Sequence, residues 1–145
     1  MPASAVVEVA DAVVTALNAA TLSQSFTATR LYILVDELKN FTSLRVSVIP
    51  QAMEVTNISR DESQEIYRID IAIQKKLTDA DDKDEVDTMM LLVEEVCDLL
   101  IRTRPSGHPA AIARNFENDP IYSDEHLREL RQFTSVVTFI FREAR

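Results

Sequence analysis

The densest group of side chains that could bind an ion is an acidic turn in the middle of the chain. It contains Asp79, Asp81, Asp82 and Asp84, and carboxylates are ligands that calcium prefers. An EF-hand loop beginning at Asp79 would, however, place Asp84 where glycine is required and Met90 where the bidentate glutamate is required. The turn is therefore interpreted as the solvated start of a helix, whose free amides the carboxylates cap, and no metal site is predicted.

Histidine and cysteine supply many catalytic bases, nucleophiles and zinc ligands, but they occur only three times in the chain. His108 and His126 are 18 residues apart, and neither has a partner at the spacing of a zinc site. Cys97 falls on the apolar stripe of a predicted helix beside Asp98, whereas a reactive thiolate needs an exposed, electropositive setting. We therefore predict a buried structural cysteine, and a single cysteine cannot form an internal disulfide.

The sequence offers little evidence for an enzymatic function. Gly107 is the only glycine, which argues against a glycine-rich phosphate loop, because such loops need several positions where backbone amides approach a phosphate. No serine stands in the glycine-flanked turn of a nucleophile elbow. The paired carboxylates Glu94 and Glu95 are consecutive on a predicted helix, so they point in different directions. We expect no catalytic residue and no cofactor.

The acidic residues are concentrated in one part of the chain. The net charge is −9, and residues 54–98 hold 14 acidic and 5 basic residues, a local balance that equals the whole excess. Such a band disfavours binding to nucleic acid or to an anionic membrane. A solvated surface that keeps the protein soluble is the simpler interpretation. Glu8 and Asp11 interrupt the apolar run near the N-terminus, so we expect no signal peptide and a cytoplasmic site of synthesis.

Two amphipathic helices are predicted, over residues 4–20 and 83–103, because apolar residues recur there at helical spacing. Pro105 ends the second helix. Between and after them, runs of β-branched and aromatic residues predict strands over 27–35, 44–49, 54–58, 66–77, 110–116 and 133–142. Residues 119–131 are expected to be irregular or to form one helical turn.

The longest of these strands alternates clearly. Tyr67, Ile69, Ile71 and Ile73 fall on one face, which is typical of a half-buried strand in an antiparallel sheet. The closing strand is apolar or hydroxylated on both faces, so we expect both of its faces to be covered. The sequence therefore predicts a single α+β domain over residues 1–145, a mainly antiparallel sheet flanked by two helices in the order α-β-β-β-β-α-β-β.

Several of these segments together resemble a known protein family. The segments are Leu44-Arg-Val-Ser-Val-Ile-Pro50, Ile58-Ser-Arg60, residues 67–77, the helix around 86–101, and the block 119–142 that begins Asp-Pro-Ile-Tyr-Ser-Asp-Glu-His. They are similar to the tail-terminator and head–tail joining (neck) proteins of bacteriophages, and the resemblance runs from about Arg30 to Arg145. These are structural segments with no reactive signature, so they indicate a lineage more securely than a position in the virion.

The resemblance implies a structural virion protein at the head–tail junction, assembled in the host cytoplasm. Such subunits form a ring, expected to be a hexamer, that caps the tail tube and joins it to the connector or neck proteins while DNA passes through the lumen. An acidic segment containing Asp79, Asp81, Asp82 and Asp84 would suit the lumen, because like charge prevents DNA from sticking. Neither sequence-specific nucleic-acid binding nor membrane binding is expected.

The apolar residues Pro120, Ile121 and Tyr122, in an otherwise polar loop, are candidates for the contact between subunits. They could equally pin this loop to the core of their own subunit. Another neck, head-completion or minor tail protein is the nearest alternative function. A monomeric cytoplasmic adaptor that binds a peptide along a sheet edge is an alternative of a different class. Self-association separates the ring from the adaptor.

Overall fold

The protein is described here by a computed structural model that covers residues 4–32, 44–57, 59–77, 83–102, 112–118 and 122–144. It is an α+β fold, and its elements follow an order consistent with the predicted one. The elements are α1 Ala5–Ala19, β1 Ala28–Arg30, β2 Arg45–Asn57, β3 Ser63–Lys76, α2 Lys83–Arg102, β4 Ile112–Glu117, α3 Asp124–Leu130 and β5 Gln132–Ala144.

The described strands form one five-stranded sheet in the order β1-β2-β3-β5-β4. Three of the four pairings are antiparallel, as expected, whereas β1 lies parallel to β2. The sheet is therefore mixed. Side-chain periodicity predicts a strand and its faces but carries no information on strand direction, so the parallel pairing could not be read from the sequence.

Strand β2 continues through a proline at which the sequence predicted its end. The two predicted strands over 44–49 and 54–58 are parts of this one strand, whose pairing with β3 shifts register between Pro50 and Ala52. Such a shift marks a β-bulge, where proline is tolerated. Pro50 also lies beyond Val48, the last residue that pairs with β1. At this level β2 is the outermost described strand, so the missing N–H of proline costs no ladder hydrogen bond there.

The core lies between the sheet and the two long helices. We call this side of the sheet the helix-side face. On β3 it carries Tyr67, Ile69, Ile71 and Ile73, which are fully buried, as the alternation predicted. Side chains of α1, α2, β2, β3 and β5 join them in one apolar cluster, in which the largest members from the helices are Leu17, Met89, Leu92 and Leu100.

The opposite side of the sheet, which we call the second face, is also buried along part of its length. Ala72, Gln74 and Thr134 point to this face and are at most 4% exposed. Ile140, farther along β5, is 6% exposed. The expectation that both faces of the closing strand are covered is thus confirmed for the helix-side face and only in part for the second face, where Val136 and Thr138 are half-buried and Arg142 is exposed. Helix α3 packs against β5, and the Ser123 backbone N–H donates to the Thr134 carbonyl.

Candidate assembly surface

Of the predicted acidic segment, the structure describes only Asp84. It lies in the first turn of α2 and is exposed, where its carboxylate faces the positive end of the helix dipole. Its backbone carbonyl accepts a hydrogen bond of 2.7 Å from the Thr88 hydroxyl. Asp79, Asp81 and Asp82 lie outside the described residues. The interpretation of Asp84 as a helix-start carboxylate agrees with this position.

Helix α2 carries a further acidic stripe that the charge count alone did not resolve. Asp87, Leu91, Glu94 and Asp98 are all exposed and recur at intervals of four, three and four residues, which places them along one side of the helix. Leu91 is 50% exposed and interrupts the three carboxylates. The outer side of α2 is therefore a negatively charged surface with one apolar residue at its centre.

Of the predicted contact loop, the structure describes Tyr122, while Pro120 and Ile121 lie outside the described residues. The Tyr122 ring is tilted against the Phe133 ring, with centroids 6.3 Å apart. Phe133 is fully buried, whereas Tyr122 keeps 36% of its surface exposed. Tyr122 therefore packs partly on its own subunit and presents the rest of its surface outward.

Cys97 lies on the buried side of α2, with 6% of its surface exposed. Burial raises the pKa of the Cys97 thiol to about 11, and the neighbouring carboxylates of Asp98 and Glu94 add to the shift. A thiol with this pKa is protonated at neutral pH, and it is the thiolate that acts as a nucleophile. Cys97 therefore packs in the core, as the sequence predicted.

His126 takes part in a small polar network where α3 meets β5. Its Nδ1 lies 2.8 Å from the Thr134 hydroxyl oxygen, which also accepts a 2.9 Å hydrogen bond from the Gln132 side-chain amide. Since Gln132 and Thr134 are buried, these bonds satisfy polar groups that would otherwise be costly to bury. Within the described residues no three histidine, cysteine or acidic side chains come together as a metal site. His108 lies outside those residues.

Two surface grooves are large enough to hold a ligand. One, of about 990 Å³, lies between the end of β4 and α3, and its described lining is Glu117, Asn118, Ser123, Asp124, Glu125, Thr134, Val136 and Thr138. Its Asp124 is 64% exposed in the side chain and pairs with Arg128 at 3.1 Å across one helical turn. This described lining offers acidic and hydroxyl oxygens, among them the Thr134 hydroxyl that lies beside His126, and it includes no cationic side chain.

The second groove, of about 480 Å³, lies between α2 and β4. Met90, Val93, Cys97 and Phe116 provide apolar lining, and Glu94, Asp98 and Asn118 provide the polar part. The Phe116 ring stacks at 5.4 Å on the Phe139 ring of β5 but remains 41% exposed. The groove thus runs beside an apolar side chain of the outermost strand on this side of the sheet.

The sequence interpretation missed a projecting segment of the sheet. Residues 51–57 of β2 are all exposed, although residues 46–49 of the same strand are buried. Met53 and Val55 keep 55% and 53% of their surface exposed. Together with residues 63–68 of β3, this segment forms what we call the arm. The available signal is the pair of apolar residues Met53 and Val55, two positions apart beyond Pro50, of which the predicted strand 54–58 includes only Val55.

The described part of the fold has two surface features that bear on assembly. It exposes apolar side chains on two outer strands and an acidic stripe on α2. None of the described helices is long and apolar enough to cross a membrane. Comparison with protein-family models and with curated proteins finds no match for this chain.

Proposed function

We propose that this protein is a non-enzymatic structural component of a tailed bacteriophage, the tail terminator at the head–tail junction. It assembles as a ring, expected to be a hexamer, that caps the tail tube and joins it to the connector or neck while DNA passes through the lumen. The starting point is the resemblance carried by residues 44–50, 67–77 and 119–142. These segments contribute to β2, β3, α3 and β5 of the sheet and its flank.

The observation that best supports assembly is the exposure of large apolar side chains on the outer strands. Met53 and Val55 on β2 and Phe116 on β4 are each more than 40% exposed, although the core below them is fully built. Exposed apolar groups of this kind are typical of surfaces that become buried in an assembly. Contacts between copies would remove them from water.

The charge distribution suits a subunit that lines a DNA passage. Asp87, Glu94 and Asp98 lie along the outer side of α2, and the predicted acidic segment 79–84 immediately precedes or begins this helix. A negative surface repels the phosphate backbone, so DNA can slide past it without binding. Location of residues 79–87 on the outer rim of a solved ring would contradict this orientation.

The first experiment is the native mass of the purified chain over a concentration series, with negative-stain imaging of any large species. We expect a discrete closed ring whose mass corresponds to a hexamer of 16.4 kDa subunits. Purified tail tubes added to the protein should bear such rings at one end. A chain that stays monomeric both alone and with tubes would contradict the proposal.

An adaptor that binds a peptide along a sheet edge is the second candidate, and the outer strands β2 and β4 are the observation that favours it. This function predicts a monomer at every concentration.

Another neck, head-completion or minor tail protein would also form an assembly, but its rings would not stop the growth of tail tubes. Tube length in an assembly reaction with and without the protein separates these two virion functions.

A further inference from the structure

The described sheet ends in two outer edges that lie on opposite sides of the molecule. On β2, residues 51–57 pair with β3, but β1 reaches only Val48, and no other described strand runs along their outer side. On the opposite side, β4 pairs with β5 and has no described strand beyond it. Outer strand edges present unpaired N–H and C=O groups, which makes them templates for another strand.

These two edges lie at the same level along the strands. The pairings can be followed across the sheet from β4 to β2. Ile112 of β4 pairs with Arg142 of β5, and Arg142 pairs with Ile66 of β3. Ile66 in turn pairs with Glu54 of β2. The other end of β4 is correspondingly at the level of Ile49. Therefore β4 spans the level of residues 49–54 and overlaps the outer edge of β2 over residues 51–54.

The strand directions also match. Three successive antiparallel pairings separate β2 from β4, so β4 runs opposite to β2. A second copy in the same orientation would set its β2 antiparallel to the β4 of the first copy. Antiparallel pairing of this kind needs neither an inversion of one copy nor a large translation along the strands.

The exposed side chains fall on matching faces. Met53 is paired with Tyr67, and Phe116 is paired with Phe139, so both belong to the helix-side face. With the edges level, Phe116 of one copy lies opposite Pro50 of the next. Met53 is then its diagonal neighbour on the same face, within reach of an aromatic ring. Val55 lies just beyond the described end of β4. On the second face, Glu54 and Glu117 carry like charges, which favours a register that keeps them apart.

We propose that copies of this chain associate head to tail, with β4 of one copy adding as an antiparallel strand to the edge of residues 51–54 of the next. This inference rests on the proposed ring and names its interface. The two edges differ, so each copy uses one of each, and such a heterologous contact forms a ring when the rotation closes. Because the edges are level, repeated addition does not climb along the strands, and the right-handed twist of the sheet supplies curvature.

A second copy fits these edges better than a peptide does. A bound peptide would cover one edge and leave the other open, whereas a second copy uses both edges of every subunit. The exposed apolar residues Met53 and Phe116 also lie on the two sides of the same contact. Association of copies is therefore the occupant that accounts for both edges together.

The direct test is cross-linking with a short bismaleimide in a Cys97→Ala background, because diagonal positions about 7 Å apart are too distant for a direct disulfide. A chain carrying both Met53→Cys and Phe116→Cys should, on treatment with this reagent, give a ladder of multiples of 16.4 kDa that ends at the ring. An equal mixture of the two single variants should stop at a dimer that contains one of each. The matched control replaces Phe116→Cys by Leu91→Cys, which is also an exposed apolar position but lies on α2, and it should give no ladder.

Three results would overturn the interface. They are a double variant without a ladder, a Leu91→Cys control that cross-links equally well, and homodimers of either single variant as the main product. Loss of the Phe116 ring could weaken the fold, so hydrogen exchange of the wild-type chain gives a second measurement. Amides within 51–54 and 112–117 should become better protected by about 10-fold or more at assembling than at dissociating concentrations, while those of α1 should not change. Equal protection at both concentrations would also overturn it.

Lysine substitutions separate the interface from the proposed function. Met53→Lys with Val55→Lys should weaken self-association by roughly 100-fold or more, because charges must then be buried at the contact. Leu91→Lys should leave it unchanged. A ring that persists in the double lysine variant overturns this interface but leaves the terminator function standing. Rings that cross-link as expected but fail to cap tail tubes retain the interface and contradict the function.

Discussion

The two halves of β2 both carry apolar residues at a spacing of two, but one half is covered by the rest of the fold and the other is exposed. Residues 46–49 are buried within the sheet, whereas residues 51–57 are exposed throughout, although both halves pair with β3. Val48 has no exposed surface, and Val55 is 53% exposed. The comparison teaches that residue type and strand pairing do not make a core position. What lies over the strand decides it.

Element lengths explain why only one half is covered. Helix α1 has 15 residues and spans about 22 Å at about 1.5 Å per residue. Strand β2 has 13 residues and spans about 43 Å at about 3.3 Å per residue. A helix of this length can cover only about half of the strand, and α1 contacts β1 and β2 on the side of Val46 and Val48. The remaining half extends beyond it as the arm.

The largest expected effect tests this comparison within one strand and one residue type. Val48→Ala should lower the free energy of unfolding by about 2 kcal/mol, because it removes two buried carbons and leaves a cavity. Val55→Ala should change it by no more than about 0.5 kcal/mol, as is usual at exposed positions. Chemical denaturation at a concentration where the chain is monomeric measures both.

The same pair of variants has a second readout. If the ring forms through the arm, Val55→Ala, at the margin of the contact, should weaken self-association less than Met53→Ala, while both leave the stability of the monomer nearly unchanged. Equal destabilisation of the monomer by Val48→Ala and Val55→Ala would break the comparison, because it would mean that the arm is packed as tightly as the base of the sheet.

A medium effect is expected at the helix that packs on the covered part of β5. The Ser123 hydroxyl accepts a hydrogen bond of 3.3 Å from the His126 backbone N–H and so caps α3. Ser4 stands at the corresponding position of α1, but its side chain makes no such bond. Ser123→Ala should therefore cost about 1 kcal/mol of stability, and Ser4→Ala much less. Thermal unfolding of the two variants checks this, and a larger loss from Ser4→Ala would contradict the assignment of the caps.

The smallest effect concerns the ion pair that ties α1 to the covered side of the sheet. Asp11 Oδ1 lies 2.6 Å from Arg30 Nε, and this hydrogen bond raises the pKa of Arg30 further. Both side chains are partly exposed, so Asp11→Asn should cost no more than about 0.5 to 1 kcal/mol. The loss should shrink in high salt, whereas Asp87→Asn on the exposed side of α2 should leave stability nearly unchanged. A loss independent of salt would indicate packing as its cause.

Much of the fold could be predicted from local patterns. The helix expected over 83–103 is observed as Lys83–Arg102, and the alternation from Tyr67 to Ile73 marks the buried face of β3. Both patterns repeat many times within one element, which makes them robust. Pro50 was misread because a proline within a strand is normally a stop signal. Strand β2 tolerates Pro50 because the strand bulges there and because β1 ends near Val48, and neither feature can be read from the local sequence.

The candidate site was much less predictable. The sequence pointed to the acidic turn and to the loop around Tyr122, whereas the exposed apolar residues of the described chain include Met53, Val55 and Phe116. A valine in a strand has the same local pattern whether it is covered or exposed. Its surroundings depend on elements that are distant in the sequence, so local periodicity cannot separate core from interface.

By itself, the sequence determined the α+β class, the helical stripe of α2, the inward face of β3 and the burial of Cys97. Each of these follows from apolar residues repeating at the period of one element, which is a local property. Only the tertiary structure decided the parallel pairing of β1, the continuity of β2 through Pro50, and the exposure of the arm beside two outer strands. These features depend on how far each helix reaches across the sheet and where each neighbouring strand ends, which are relations between segments far apart in the chain.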